Sequence, residues 1–137
     1  MSETTDPVET VRRLYDAFTR RDEPVLREIL HERIEWNQME GFPQGGRWIG
    51  VDEVFERVFK PFRQRWRSWK AETSEIVAVV GQPPRVVAFG RYVGEHEETG
   101  RQLEAPFAHV YTIEDGRVTR FEQFTDTLLV SRAAGEA

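Results

Sequence analysis

The feature of this sequence that most constrains its fold is a β-hairpin near the C-terminus. Two runs in which apolar and polar residues alternate, 107–113 and 117–125, flank the turn Asp115-Gly116. Asp-Gly favours such a turn because glycine reaches positive φ without steric cost. A strand alternates its faces, so His109 and Tyr111 point to the same side. An imidazole among aromatic rings on an inward face is either a buried structural group or the centre of the chemistry.

Upstream of the hairpin, helical patterns come first and strand patterns follow. Apolar residues at helical spacing predict a helix after Asp6, which can cap it, and a shorter helix that starts at Asp22. A third helix is predicted after Gly50, and Pro61 should kink or break it because proline lacks the N–H donor. The alternating runs that follow predict four strands, at residues 71–80, 85–93, 102–113 and 117–125.

The predicted order of elements is ααβαββββ, with a short strand at 34–36 and a loop rich in glycine and proline at 38–48. Helices first and antiparallel hairpins afterwards indicate an α+β fold and not a βαβ winding. A strongly curved, mostly antiparallel sheet packed against the helices would enclose a space. We expect one domain over residues 1–137, with its core at about 8–127.

Composition excludes several classes of function. The chain has no cysteine, so disulfides, thiol nucleophiles and thiolate metal sites are absent. Its net charge of −5 argues against nucleic acid and anionic membranes as partners. The N-terminus lacks a cationic segment followed by an apolar one, so no signal peptide is expected, and no apolar run is long enough to span a membrane. These observations predict a cytoplasmic protein.

The sequence resembles the nuclear transport factor 2-like superfamily, in particular its SnoaL-like polyketide cyclase and ketosteroid isomerase branch. The resemblance is carried by four segments in order and runs from about residue 8 to residue 127. The segments are Val11-Arg-Arg-Leu-Tyr-Asp-Ala-Phe18, Ile34-Glu-Trp36, Gly50-Val-Asp-Glu-Val54 and Phe107-Ala-His-Val-Tyr-Thr-Ile-Glu-Asp-Gly-Arg-Val118. It implies a cone-shaped barrel wrapped around the N-terminal helices, a pocket at one end and commonly a homodimer joined through the sheet. The superfold hosts many chemistries, so function must be argued from the site.

Two residues of the hairpin are candidates for the chemistry. The resemblance places His109 where ketosteroid isomerases carry the protonated aspartate of their oxyanion hole. His109 could donate a hydrogen bond to an enolate or transfer a proton near neutral pH. The structural alternative is a histidine satisfied by Tyr111, Thr125 or water. Gln123 stands where SnoaL-like cyclases have an acid/base aspartate; it could orient a substrate or serve as a structural amide.

The remaining candidates for substrate binding are mostly aromatic. Four tryptophans in a short chain favour a cavity for a flat or cyclic apolar ligand, although aromatic stripes are more often plain core. Trp66 and Trp69, after the predicted kink, are expected to cover the sheet or a dimer contact. The predicted pocket residues besides Gln123 are Tyr15, Trp36, Trp48, Phe55, Phe59, Tyr111 and Phe121. The direction of strand 85–93 stays open, so Tyr92 is unassigned.

No carboxylate stands at a predicted catalytic position. Glu35 should point away from Trp36, and the nearest alternative carboxylates are Glu40 and Asp52. Glu40 lies in a loop that could fold over the pocket, but a loop carboxylate is expected in solvent. The three histidines lack metal-ligand spacing, so neither a metal nor another cofactor is expected. We therefore expect a protein that acts on or holds a small hydrophobic carbonyl compound. It would be a cofactor-free isomerase, cyclase or dehydratase that uses His109, or alternatively a binding or dimeric interaction module without turnover.

Overall fold

The computed structural model of the chain describes residues 6–136. Five helical stretches, one π-helical turn and six strands follow one another. They are α1 (Pro7–Arg20), α2 (Glu23–Ile29), β1 (Leu30–Gln38), β2 (Gly46–Ile49), α3 (Val51–Val54), the π-helical turn (Phe55–Phe59), α4 (Lys60–Arg65), β3 (Trp66–Val79), β4 (Arg85–His96), β5 (Gln102–Glu114), β6 (Arg117–Thr125) and α5 (Thr127–Ala133). The α+β class predicted from the sequence is confirmed.

Side-chain caps fix where the helices begin. The Asp6 carboxylate accepts a hydrogen bond from the backbone N–H of Val8 at 3.0 Å, and Asp22 accepts one from Val25 at 3.2 Å. A carboxylate in this position satisfies an N–H group that has no partner inside the helix. Helix α1 ends at Arg21, whose φ of 54° is left-handed. This ending reverses the chain sharply and brings α2 back against α1.

The third helical region runs from residue 51 to residue 65 without a break. Pro61 was expected to kink or break it, and no break occurs, because α4 continues through that position. The preceding turn is π-helical, and the backbone N–H of Lys60 bonds to the carbonyl of Phe55. A π turn is wider than an α turn, so it accommodates a residue that cannot take its place in the normal bonding pattern. The helix ends at Arg65, and Trp66 already belongs to β3.

The six strands form one curved sheet in the order β2-β1-β6-β5-β4-β3, and the sheet is not closed into a barrel. All neighbours pair antiparallel except β1 and β6, which are parallel. Two predictions at the N-terminal side need correction. The strand predicted at 34–36 extends over Leu30–Gln38, and His31 lies in it. The predicted loop at 38–48 contains β2 as its return strand.

The apolar core occupies the concave side of the sheet. Alternate residues of β5 are buried from Leu103 to Ile113, and α1 packs across β3 and β4. The larger cluster joins α1, α2 and the helical region to β1, β5 and β6, and a smaller one collects around Phe42, Trp66, Tyr92 and Phe107. His109 lies on this buried face with only 5% of its surface exposed.

Candidate functional site: an aromatic cavity with a tyrosine–histidine relay

A cavity of about 410 Å³ lies between the concave face of the sheet, α1 and the helical region 51–65. Half of its lining residues are Phe, Tyr or Trp, and they include Trp36, Phe42, Phe59, Phe62, Trp66 and Trp69. A volume in this range holds a small organic molecule. The rings exclude water and lower the local dielectric constant, which strengthens any hydrogen bond formed inside.

The polar part of the cavity wall is a chain of hydrogen bonds centred on His109. This chain, here called the relay, joins Tyr111, Tyr15, His109, Tyr92 and Gln123 in that order. The Tyr15 hydroxyl oxygen lies 2.6 Å from Nδ1 of the imidazole, and the Tyr92 hydroxyl oxygen lies 2.5 Å from Nε2. The Tyr111 hydroxyl is 2.9 Å from that of Tyr15. The Phe107 ring stacks on the imidazole with 4.0 Å between ring centroids. Tyrosine hydroxyls therefore satisfy both ring nitrogens of the histidine.

Gln123 anchors one end of this relay. Its Oε1 accepts a hydrogen bond from the backbone N–H of Met39 at 3.0 Å, so the amide group must turn its Nε2 toward Tyr92. Nε2 donates to the Tyr92 hydroxyl at 2.8 Å. Gln123 was expected to contact substrate or to serve as a structural amide. Both halves of its amide are occupied by protein groups.

These contacts favour one direction of hydrogen bonding through the relay. A neutral imidazole has one N–H. One amide N–H of Gln123, the N–H of His109 and three hydroxyl protons are therefore five protons that share four contacts. One hydroxyl proton therefore has no acceptor inside the relay. It is least costly on Tyr15, which is half-buried at the cavity wall, since Tyr92 and Tyr111 are buried. Tyr92 then donates to Nε2, Nδ1–H donates to Tyr15, and the Tyr15 hydroxyl points its proton into the cavity.

Burial keeps the relay uncharged. Desolvation lowers the pKa of His109 from its ordinary 6.5 to about 3, because a buried imidazolium has lost its hydration. Burial likewise raises the pKa of Tyr15, Tyr92 and Tyr111. Near neutral pH the relay thus contains a neutral imidazole and three neutral phenols. Such a set offers hydrogen-bond donors to a ligand oxygen but no strong base.

No carboxylate lines the cavity within residues 6–136. Glu35 projects from the other face of β1, where it pairs with Arg47 and Arg120. Glu40 is exposed in the loop before β2 and is absent from the cavity wall. Asp52 pairs with Arg27 on the surface, and its side chain is 87% exposed. A carboxylate base for a bound molecule is therefore lacking.

Seven of the nine predicted site residues line the cavity, namely Tyr15, Trp36, Phe59, His109, Tyr111, Phe121 and Gln123. Trp48 and Phe55 do not. Trp48 lies on the edge strand β2, beyond β1, and its indole N–H donates to the carbonyl of Gln44 at 3.0 Å. Phe55 packs in the core one turn before Phe59, and the guanidinium of Arg27 covers its ring at 4.5 Å.

Several cavity residues were missed in the sequence. Tyr92 is the most important, and its inward direction follows only once Ala88 is paired with His109 in the sheet register. Trp66 and Trp69 were expected on the sheet or at a dimer contact, but they stand at the start of β3 and face the cavity. Arg21 and Arg63 also line it. Neither carried a signal in the sequence, because each stands among other charged residues on a helix.

Residues 6–136 contain no group of three or more His, Cys, Asp or Glu side chains that could hold a metal ion. Over the same residues, none of the helices has the length and apolar character required to cross a membrane.

The fold and the cavity define a class of protein in which a curved sheet and N-terminal helices enclose a space for a small molecule. The family model of the SnoaL-like domain matches residues 11–121 of the sequence. The protein therefore belongs to the SnoaL-like domain family, within the NTF2-like fold. The family predicted from the sequence is confirmed.

Solved structures share this fold over almost the whole chain. An NTF2-like protein from Burkholderia thailandensis is 33% identical, with 95% of this chain and 98% of that chain covered and a TM-score of 0.86. An NTF2-like protein from Burkholderia pseudomallei is 28% identical, with 96% and 98% covered and a TM-score of 0.85. TerC, co-crystallised with polyporic acid, is 24% identical, with 95% and 99% covered and a TM-score of 0.82. Among curated proteins, none matches the chain.

Proposed function

We propose that the protein binds a small cyclic carbonyl compound in the aromatic cavity and promotes its enolisation without a cofactor. The ligand oxygen would accept a hydrogen bond from the Tyr15 hydroxyl, and the proposed reaction is an isomerisation, cyclisation or dehydration. The observation that carries the proposal is the neutral relay of Tyr15, His109 and Tyr92 at the wall of an apolar cavity. Family membership supports it, because SnoaL-like proteins bind small hydrophobic ligands. TerC, which has the same fold, was co-crystallised with polyporic acid.

In this proposal the relay stabilises negative charge on the ligand. When a carbonyl compound loses an α-proton, charge develops on its oxygen, and a fixed donor in a low-dielectric site stabilises that charge strongly. Tyr15 is the group that would touch the oxygen. His109 would act through Tyr15, by donating Nδ1–H to the phenol oxygen and holding it in place. A lowered pKa of about 3 makes His109 a weak base, so orientation of the donor is favoured over proton abstraction.

Gln123 has a supporting role in the same mechanism. Its amide is held by the Met39 backbone and directs Tyr92 to donate to Nε2. This sets the tautomer of His109 that presents Nδ1–H to Tyr15. Gln123 and Tyr92 are therefore proposed as positioning residues, and the aromatic wall as the barrier to water.

The second candidate function is binding without turnover. The absence of a carboxylate from the cavity wall of the described residues favours it, because proton abstraction from carbon is usually assigned to such a base. A protein of this kind would sequester or sense its ligand. The same cavity and the same donor at Tyr15 would serve for recognition.

Exchange of α-protons separates the two candidates. The probe is 2-tetralone in D₂O, with NMR to follow α-deuteration and quenching of tryptophan fluorescence to measure binding. Solvent water takes the proton in this assay. We expect the protein to accelerate exchange, and Tyr15→Phe to lose at least about tenfold of that acceleration, as one oxyanion donor contributes about 10²–10³ in other enzymes. Thr19→Val is the matched control, because the Thr19 hydroxyl lines the cavity but donates to a backbone carbonyl.

Each outcome decides between the candidates. Acceleration that is lost in Tyr15→Phe and kept in Thr19→Val supports the catalyst. Binding of 2-tetralone with no acceleration supports the binding module. Failure of the protein to bind 2-tetralone and related bicyclic ketones would contradict both.

Association of two copies through the sheet remains part of the proposal. Phe89, Ala108 and Phe124 lie side by side on the outer face of β4, β5 and β6, and both phenylalanines are more than 40% exposed. Sedimentation velocity on the wild type and on Phe89→Lys tests this prediction.

A further inference from the structure

The charges that line the cavity all have the same sign. The protein carries a net charge of −5, yet Arg21, Arg63, Arg67 and Lys70 line the cavity, and no Asp or Glu of residues 6–136 does. Arg67 is neutralised by Glu95 and Glu97. A cleft lined by one sign of charge in an oppositely charged protein concentrates ligands of the other sign.

Arg21, Arg63 and Lys70 have no carboxylate partner among residues 6–136, and Arg21 and Arg63 are the two guanidinium groups of this set. Most other arginines of residues 6–136 pair with Asp or Glu, but neither of these two does. Both are exposed as well as lining the cavity, which places them at its mouth. Burial and the nearby Arg21 lower the pKa of Arg63, and the carboxylate of Glu23, which pairs with Arg27, raises it by a smaller amount. The guanidinium groups of Arg21 and Arg63 are therefore close enough to interact electrostatically. Two such groups are favourable neighbours when an anion lies between them.

The position of Arg21 is unfavourable for its own backbone. With φ at 54° it occupies the left-handed conformation at the end of α1, where glycine is the preferred residue. An arginine in this conformation brings a guanidinium to the cavity mouth.

We propose that Arg21 and Arg63 form a carboxylate-binding pair at the cavity mouth, so that the ligand is a cyclic or aromatic acid whose rings lie in the cavity and whose carboxylate lies between the two guanidinium groups. Guanidinium groups suit this role because their planar N–H pairs match the two carboxylate oxygens. The proposal rests on the proposed function, since it assumes that the ring system of the ligand occupies the aromatic cavity.

The test compares 2-naphthoate with its neutral isostere 2-naphthamide. Dissociation constants are measured by quenching of tryptophan fluorescence at about 20 mM and about 500 mM salt. We expect 2-naphthoate to bind at least about tenfold more tightly at low salt, and high salt to reduce this preference by screening. The double variant Arg21→Gln/Arg63→Gln should lose the preference and keep its affinity for 2-naphthamide. Arg33→Gln is the control for net charge, because Arg33 is exposed and lies away from the cavity.

The outcomes separate this proposal from the one on which it rests. Equal affinity for the two probes, or a preference for 2-naphthoate that persists in the double variant, would overturn the carboxylate-binding pair. Either result would leave the proposed function of the cavity unaffected. A preference that Arg33→Gln removes equally would point to net charge alone and overturn it as well. If neither probe binds, both proposals fail.

Discussion

Acid should destabilise this protein through His109, and the size of the effect follows from burial. The folded-state pKa is about 3, and the ordinary value is 6.5. Between these values the unfolded chain binds a proton that the folded chain does not. Stability from the neutral imidazole is therefore complete above about pH 6.5 and is lost as the pH falls toward 3. Each pH unit in this window costs about 1.4 kcal/mol.

The difference between a variant and the wild type isolates this contribution. From about pH 7.5 to about pH 5.0, His109 should remove about 2 kcal/mol from the wild-type free energy of unfolding. This figure is insensitive to the folded pKa as long as that pKa lies below about 4. His109→Gln lacks the titrating group, so its loss over the same range should be smaller by about 2 kcal/mol. The other two histidines and the carboxylates are common to both proteins and cancel.

Urea unfolding followed by tryptophan fluorescence provides the measurement, provided that the m values agree between the two proteins. NMR of the folded wild type is a second and independent readout, in which the His109 ring signals should not titrate between about pH 8 and pH 5. A pH-dependent loss that is equal in His109→Gln and wild type would refute the reasoning. So would an imidazole that titrates near pH 6.5 in the folded protein. If His109→Gln does not fold, the NMR titration decides alone.

Three stability predictions concern the relay and the backbone, and urea unfolding at neutral pH checks each. Tyr92→Phe should lower the free energy of unfolding by about 2–4 kcal/mol, because it leaves one nitrogen of His109 and one of Gln123 without a hydrogen-bond partner. Tyr111→Phe should lower it by only about 1 kcal/mol. Equal losses in the two variants would contradict the relay. Gly90→Ala should cost about 3 kcal/mol, because its Cβ would stand 2.0 Å from a backbone oxygen, and Gly81→Ala, with ordinary contacts, should change little. Arg21→Gly should raise the free energy of unfolding by about 0.5–1 kcal/mol, because glycine adopts the left-handed φ of this position without strain. A lower free energy of unfolding would show that the arginine side chain stabilises the fold.

A neutral relay restricts the chemistry that the cavity can perform. Tyr15 can stabilise an oxygen anion, but His109 is too weak a base to remove a proton from an unactivated carbon near pH 7. No carboxylate of residues 6–136 lines the cavity to act in its place. Substrates with acidic α-protons, such as 1,3-dicarbonyl compounds and hydroxyquinones, fit this limit. The proposed carboxylate-binding pair of Arg21 and Arg63 would bind a carboxylate group of such a molecule, away from the oxygen that Tyr15 contacts.

Local patterns in the sequence determined the fold and one side of the site. Periodicity of 3.6 in the first helix and of 2 in the last hairpin depends only on neighbouring residues, so it can be read from a single chain. It placed His109 and Tyr111 on the buried face and Tyr15 at the edge of a cavity. The third helical region was misjudged near Pro61, because a π turn depends on packing that the local pattern does not contain.

Tertiary structure decided what His109 bonds to and how the cavity is charged. Tyr15 is 94 residues from His109 in the chain, and the inward direction of Tyr92 depends on the register between β4 and β5. Arg21, at the end of α1, and Arg63, in α4, line the same cavity although they belong to separate parts of the chain. Contacts of this kind depend on how distant elements pack, and packing also supplies the desolvation that keeps the imidazole neutral. Alternation shows which side chains are inside, and only the assembled fold determines their partners and their protons.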